Sequence, residues 1–266
     1  MSTLGSLSTA TPCPATIPPA GVDDLPGLLA DLYRRQLALD PNDAYLREHA
    51  GERCVANQVR TFCWYAPYLP ARGRVLDWGC NHAPDSCLLR ARFGRQLELH
   101  GSDFAEPGRY RLFHQFADLQ YQRLEDTVAL GYARDTFDVV ISSGALEHAA
   151  QDYESLKEIY RVLKPDGLLI VTYLPNWLSY REWLRRVVHR HQFHRRLYGL
   201  GEARQLLKRS GLYPIRAGYH TFFWDNLLGG TTNAGNRWLR DGLPRLVPLQ
   251  WFCSTLCFMA RKVISM

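Results

Sequence analysis

The 266-residue sequence lacks any apolar run of the roughly 18 residues that a membrane-spanning helix needs. Its first 24 residues contain no Lys or Arg and no apolar core, which does not fit a secretory signal. None of its seven cysteines forms a CxxC pair and their number is odd, which argues against a disulfide framework or a zinc site. We therefore expect a cytoplasmic protein with reduced thiols and no metal centre.

Glycine is scarce in the segment VLDWGCNHAPDS, Val75 to Ser86, where a strand-like pattern passes into a helix-like one. Loops that hold a dinucleotide pyrophosphate carry G-x-G-x-x-G, whereas here Gly79 is followed by Asn81 and Ala83. The missing glycines argue against a nicotinamide oxidoreductase. Asn tolerates a left-handed backbone and Ala adds only one methyl group, so GCNHA can still form a tight turn.

What is present is an alternation of strand and helix patterns, with seven strand candidates. Such alternation predicts an α/β fold with a Rossmann-like, mostly parallel sheet and helices on both faces. We divide the chain into a disordered Ser/Thr/Pro-rich leader (1–24), an N-terminal helical cap (25–70), a Rossmann-like core (71–175), a basic insertion (176–198) and the C-terminal part of the core with a substrate-side loop from Trp224 (199–266). Ligands of such sheets bind at the carboxyl ends of the strands.

Three strings resemble the class I S-adenosylmethionine-dependent methyltransferases: VLDWGC, FDVVISSGALEH and RVLKPDGLLIV. The resemblance runs from about Val75 to Gly211 and is closest to the small-molecule branch that includes the ubiquinone/menaquinone C-methyltransferases. It implies a seven-stranded sheet with an antiparallel last strand, and S-adenosylmethionine as the cofactor. This cofactor has no phosphate, which is consistent with a loop that has lost the pyrophosphate glycines.

The resemblance also implies which residues bind the cofactor. Asp77 stands near the methionine end, Asp103 takes both ribose hydroxyls, and Phe104 lies on the adenine. A carboxylate suits the ribose because it accepts two hydrogen bonds at once. The complete cofactor set implied by the motifs is Asp77, Gly79, Cys80, Asn81, Asp103, Phe104, Asp126, Thr127 and Ser143.

Glu147 and His148 follow the fourth strand and are the candidate catalytic residues, with the alternative that they only orient the loop. An imidazole has an ordinary pKa near neutrality and can take a proton from the acceptor. The acceptor should be framed by segments outside the common core. Our candidate substrate residues are Tyr33, Arg181, Arg185 and Arg186, with Tyr45, Trp64 and Tyr65 as further aromatic candidates.

Residues 181–196 hold six Arg and three His against one Glu, within a net charge of +6. Three interpretations stay open: a solvated helix face, a site for an anionic acceptor, or a helix on an anionic membrane. Leu184 and Val187 fall at helical spacing beside the arginines. Nucleic acid is a weaker option because no RNA-binding module is recognisable.

The sequence therefore predicts a methyltransferase for a biosynthetic small molecule, such as a sugar, a polysaccharide precursor, a lipid-linked acceptor or a natural product. The alternative is a non-catalytic module that binds an adenosyl ligand and regulates a partner enzyme. The single glycine of the first loop motivates that alternative.

Overall fold

The computed structural model describes residues 24–126, 128–188, 194, 196–222 and 253–263, and the side chains of Arg181 and Arg185 are not described. The predictions for the leader before residue 24, for Thr127 and for the loop from Trp224 lie outside the described residues. None of the helices in the described ranges is long and apolar enough to cross a membrane.

Three helices precede the sheet: α1 (Leu25–Leu39), α2 (Ala44–His49) and α3 (Glu52–Tyr65). Their starts follow from capping chemistry. The Asp24 carboxylate accepts a hydrogen bond from the Gly27 N–H at 2.8 Å, and Asp43 accepts one from the Leu46 N–H at 3.0 Å. Each carboxylate satisfies an amide that has no partner within its helix.

The sheet has the order β3-β2-β1-β4-β5-β7-β6. Strand β7 is antiparallel to both neighbours, whereas the pairs among β1 to β5 are parallel, which confirms the predicted fold. The strands are β1 (Gly73–Trp78), β2 (Leu97–Asp103), β3 (Gln120–Arg123), β4 (Phe137–Ser143), β5 (Leu163–Pro175), β6 (Leu212–Phe222) and β7 (Cys253–Lys262).

Helices cover both faces of the sheet, because strands buried on both sides need an apolar layer on each. The remaining helices are α4 (Pro84–Phe93), α5 (Arg111–Ala117), α6 (Asp152–Val162), α7 (Tyr180–Val188) and α8 (Leu200–Arg209). One core cluster joins α1, α3, α4 and α5 to the sheet and includes Leu29, Phe62 and Phe113. The cluster on the opposite face includes Leu156 of α6 and Leu207 of α8.

The basic insertion leaves the sheet and returns to it at one point. Asn176 and Tyr198 form an isolated parallel bridge. The Tyr198 hydroxyl donates to Asp152 at 3.0 Å, and Arg196 forms an ion pair with the same carboxylate at 3.0 Å. Helix α7 lies between these two ends, so the first residue of α6 helps to hold the returning chain.

The N-terminal helices are joined to the core through a polar contact inside an aromatic cluster. The Tyr33 hydroxyl lies 2.5 Å from Nε2 of His82, which is in the loop after β1, and it also bonds the side chain of Gln58. Both rings are buried, and Phe113 packs edge-on against each of them. Burial lowers the pKa of His82 well below its usual value, so this imidazole is neutral.

Replacing Tyr33 with Phe tests this contact. Loss of the hydroxyl leaves the buried His82 and Gln58 groups without their partner, so we expect the free energy of unfolding to fall by about 1–3 kcal/mol. The matched control is Tyr213→Phe on exposed β6, where we expect no more than about 0.5 kcal/mol. Urea unfolding of both variants measures the difference, and equal values would contradict the proposed link.

Candidate functional site

The loop after β1 turns left-handed three times within five residues. Positive φ angles occur at Gly79 (70°), Asn81 (49°) and Ala83 (60°). A Cβ atom on Gly79 would lie 2.4 Å from the Cβ of Ala145, in the loop after β4. Glycine is therefore required at this position for both its conformation and its size, and the loops after β1 and β4 are in direct contact.

Asp103, the last residue of β2, ties this loop to the next one. Its Oδ2 accepts a hydrogen bond from the Asn81 N–H at 2.9 Å, and its Oδ1 accepts one from the Ala105 N–H at 3.1 Å. The His114 ring donates from Nε2 to the Asn81 carbonyl at 2.9 Å. A carboxylate offers about four acceptor positions, so both oxygens of Asp103 keep capacity for a ligand.

Two other predicted cofactor residues lie at the surface. The Phe104 ring is exposed next to Asp103. Asp126 is exposed, and its Oδ1 accepts from the N–H groups of Val128 at 2.6 Å and Ala129 at 2.7 Å. These two backbone bonds lower the pKa of Asp126, so it presents a charged carboxylate.

Beneath the loop lies a buried pair of carboxyl groups. Asp77 accepts from the Ser86 hydroxyl at 2.7 Å, and Asp85 accepts from the Tyr65 hydroxyl. Burial, with the Asp85 charge as the next cause, raises the pKa of Asp77 well above its ordinary range. Burial also raises the pKa of Asp85, which hydrogen bonds from Tyr65 and Ser143 partly offset. Two carboxyls this close cannot both ionise easily, so the pair retains a proton near neutral pH.

The other two predicted cofactor residues support this layer. Ser143 lies at the end of β4, and its Oγ accepts from the Thr172 hydroxyl of β5 at 2.9 Å. Cys80 is buried, and burial raises the pKa of its thiol far above the usual value, so it is an unreactive thiol. Cys80 thus lies within the loop after β1, and Ser143 lies at the end of the neighbouring strand β4.

Glu147 and His148 follow the turn at Ala145. Glu147 is only 8% exposed, and its Oε2 has no hydrogen-bond partner among the described residues. Burial raises the pKa of Glu147 to about 7, an effect that the His194 charge opposes. The His148 ring is exposed and lies 6.2 Å from the His194 ring, and burial of its inner side lowers its pKa.

The insertion supplies a second acidic group near this point. Glu182 of α7 is 4% exposed, and its Oε1 lies 3.1 Å from Nδ1 of His194. The structure thus brings together Glu147, His148, Glu182 and His194, of which the motifs indicated only the first two. The sequence signal for the others was the single acidic residue in the Arg-rich segment.

The predicted substrate residues lie in different parts of the fold, with the three arginines on α7 and the tyrosines in the N-terminal helices. Tyr33 and Tyr65 are completely buried and bonded inside the core, so in this conformation neither can contact an acceptor. Arg186 is exposed on α7, whereas the side chains of Arg181 and Arg185 lie outside the described residues. Within the described ranges no group of three or more His, Cys, Asp or Glu could hold a metal ion.

Replacing Gly79 with Ala tests the close approach of the two loops. The control is Gly108→Ala, because Gly108 also has a positive φ (91°) but has open space around its Cα. We expect Gly108→Ala to lower the unfolding free energy by about 1–2 kcal/mol through conformation alone. Gly79→Ala should cost about 1–3 kcal/mol more, because the Ala145 loop must move. Equal losses in urea titrations would show that the loops are not in contact.

Comparisons with known proteins agree with this geometry. Residues 46–217 match the family described as "Methyltransferase domain". The ubiquinone/menaquinone biosynthesis C-methyltransferase UbiE of Ruegeria sp. (strain TM1040) is 33% identical over 118 residues. That alignment covers 42% of this chain and 47% of the relative, about half the length of each.

Two solved structures share the fold at identities too low to show more than that. An S-adenosylmethionine-dependent methyltransferase of Thermotoga maritima has a TM-score of 0.60 and 15% identity, covering 86% of this chain and 99% of the other. The 1,6-didemethyltoxoflavin-N1-methyltransferase of Burkholderia thailandensis has a TM-score of 0.55 and 16% identity, covering 93% and 94%. Since the family match extends over more than half of the sequence, the chain belongs to the class I S-adenosylmethionine-dependent methyltransferases.

Proposed function

We propose that the protein transfers a methyl group from S-adenosylmethionine to a small-molecule acceptor. The observation that carries this proposal is the Asp103 carboxylate, which fixes the left-handed loop through the Asn81 N–H and keeps acceptor capacity at the end of β2. A dinucleotide would need glycines that the loop does not have. A ligand with a ribose and no phosphate fits these residues.

The residues present fit the cofactor. Asp103 would hold the ribose hydroxyls, Phe104 would cover the adenine, and Asp126 would accept from its amino group. The side-chain oxygen Oδ1 of Asn81 is buried without a partner among the described residues, which leaves one more polar group for the cofactor. From its position after Asp126 in the motif, we expect Thr127 to offer its backbone N–H to the adenine.

The bound cofactor supplies an electrophilic methyl group on a positively charged sulfur. The protein's part is to align the acceptor with that group and to exclude water, which are major sources of rate in a displacement of this kind. Gly79 and Ala145 bring the loop of Glu147 and His148 against the cofactor loop. An acceptor on that side would meet both residues.

Glu147 is the residue we assign to the acceptor proton. Its buried Oε2 requires a hydrogen-bond partner, which an acceptor hydroxyl or amine would provide. Its pKa near 7 suits a group that takes a proton near neutral pH. His148, exposed beside it, would pass the proton to solvent.

The acceptor class is proposed from the relatives and from the insertion. The names of the Ruegeria and Burkholderia proteins describe methylation of small molecules. A biosynthetic acceptor is therefore expected here, with a sugar, a polysaccharide precursor, a lipid-linked compound and a natural product as the candidates. An anionic group on the acceptor would explain the arginines on α7. Arg181, Arg185 and Arg186 therefore remain the residues predicted to contact that group.

The Asp103→Ala variant tests the cofactor site. We expect S-adenosylhomocysteine to bind at least tenfold more weakly by calorimetry, because each lost charged hydrogen bond is worth roughly 1.5–3 kcal/mol. The control is Glu106→Gln, which changes an exposed acid three residues away and should leave binding unchanged. Unaltered affinity in Asp103→Ala would contradict the assignment.

A ligand analogue separates ribose binding from loop support, because Asp103 also holds the Asn81 amide. Removing the ribose 2′-hydroxyl from S-adenosylhomocysteine should weaken binding to the wild type but not to Asp103→Ala. An equal penalty in both proteins would mean that Asp103 only supports the loop. Tight binding of the intact ligand without turnover on any acceptor would favour the non-catalytic module.

The Glu147→Gln variant tests the proton-accepting group. We expect the wild-type rate to rise with pH up to about 7 and then level off, as Glu147 loses its proton. Glu147→Gln should lose about 10²–10⁴-fold in kcat and lose this pH dependence. The control is Glu154→Gln, an exposed acid on α6. A variant that keeps the wild-type pH profile would remove Glu147 from the mechanism.

The pH dependence of the unfolding free energy tests the raised pKa of Glu147 without an acceptor. The folded-state pKa of Glu147 is raised, so the native protein binds more protons than the unfolded chain between about pH 4.5 and 7. The contribution of Glu147 to stability therefore falls as the pH rises through that window, by up to about 3 kcal/mol. Glu147→Gln should become more stable relative to wild type between pH 5 and pH 8.

A further inference from the structure

Among the described side chains of helix α7, a charged one is buried and three large apolar ones are exposed. A surface helix ordinarily buries its apolar stripe and exposes its charged one. Here Glu182 is buried, whereas Trp183 is 64%, Leu184 46% and Val187 59% exposed. Val187 is four residues after Trp183 and three after Leu184, so the three side chains share one side of the helix. We call these three residues the α7 outer face.

The inner side explains why the helix is held in this orientation. The Glu182 N–H lies 3.4 Å from the Ser179 hydroxyl, and the Glu182 carboxylate pairs with His194. The ends of the insertion are fixed by the bridge between Asn176 and Tyr198. The outward position of the apolar residues is therefore set by polar contacts on the other side.

We propose that the α7 outer face docks onto an anionic lipid bilayer. In residues 181–196 six Arg stand against one acidic residue, Glu182, which is buried. Arg196 pairs with Asp152 and Arg186 donates to the His194 carbonyl, so the excess positive charge of the segment comes from the other four arginines. A basic segment with outward Trp, Leu and Val has the composition of helices that lie in the headgroup region of anionic membranes. Tryptophan favours that region because its ring is apolar with one polar edge.

The size of the α7 outer face favours a bilayer over a protein partner. A helix of nine residues is about 13 Å long and roughly 10 Å across. A standard protein interface takes about 800 Å² from each partner, far more than this helix face offers. A bilayer needs only a few inserted side chains, because the binding strength adds up from buried apolar area and surface charge.

Vesicle flotation of the full chain tests the proposal, with no acceptor present, so it is independent of the proposed methyl transfer. The probes are vesicles of phosphatidylcholine with phosphatidylglycerol, and vesicles of phosphatidylcholine alone. We expect binding to the anionic vesicles that weakens with added salt. Trp183→Gln combined with Val187→Gln should lower the partition coefficient at least about tenfold. Ile215→Gln, an exposed apolar residue on β6, is the matched control and should bind like wild type.

Far-ultraviolet circular dichroism and urea unfolding show that each variant is folded. Absence of wild-type binding to anionic vesicles would overturn the proposal, as would equal binding by the double variant. A dimer in sedimentation that the double variant dissociates would assign the face to a second copy instead. If the double variant loses unfolding free energy and the wild type does not bind vesicles, the face is covered by another part of the chain.

Discussion

The structure of the site depends on one steric constraint, the approach of the loop after β4 to Gly79. Only a residue without a Cβ can stand there, since that atom would lie 2.4 Å from Ala145. The remaining turn is made without further glycine, by left-handed Asn81 and Ala83. Such conformations are costly for residues with a Cβ and persist only when neighbours hold them. Asp103 and His114 do so, through the N–H and the carbonyl of Asn81.

Close packing below this loop also raises the pKa of two buried carboxyl groups. Asp77 and Asp85 are buried below the loop, where they accept hydrogen bonds that include those of the Ser86 and Tyr65 hydroxyls. Because burial penalises the charged forms, this pair costs stability as the pH rises, in the same direction as Glu147. A cationic ligand beside the pair would offset that cost. The site is therefore better suited to a positively charged cofactor than to a phosphate.

Local sequence patterns together with the family resemblance predicted the fold, and they also indicated where some of the candidate site residues stand. Asp103 could be placed because a strand ends there, and Asn81 because few other residues accept a left-handed turn. The burial of Tyr33 could not be foreseen, because its partner His82 is 49 residues away. The contact between Glu182 and His194 depends likewise on how the insertion folds back. Helical spacing identified Leu184 and Val187 as one face, but spacing does not tell which way a face points.

The orientation of α7 also has a consequence for the loop of Glu147 and His148. Glu182 and His194 belong to the insertion, and His194 lies beside His148 and lowers the pKa of Glu147. A displacement of α7 that moves Glu182 and His194 changes the surroundings of Glu147, and with them its proton affinity. Docking through Trp183 and Val187 would displace or fix the same helix from its outer side.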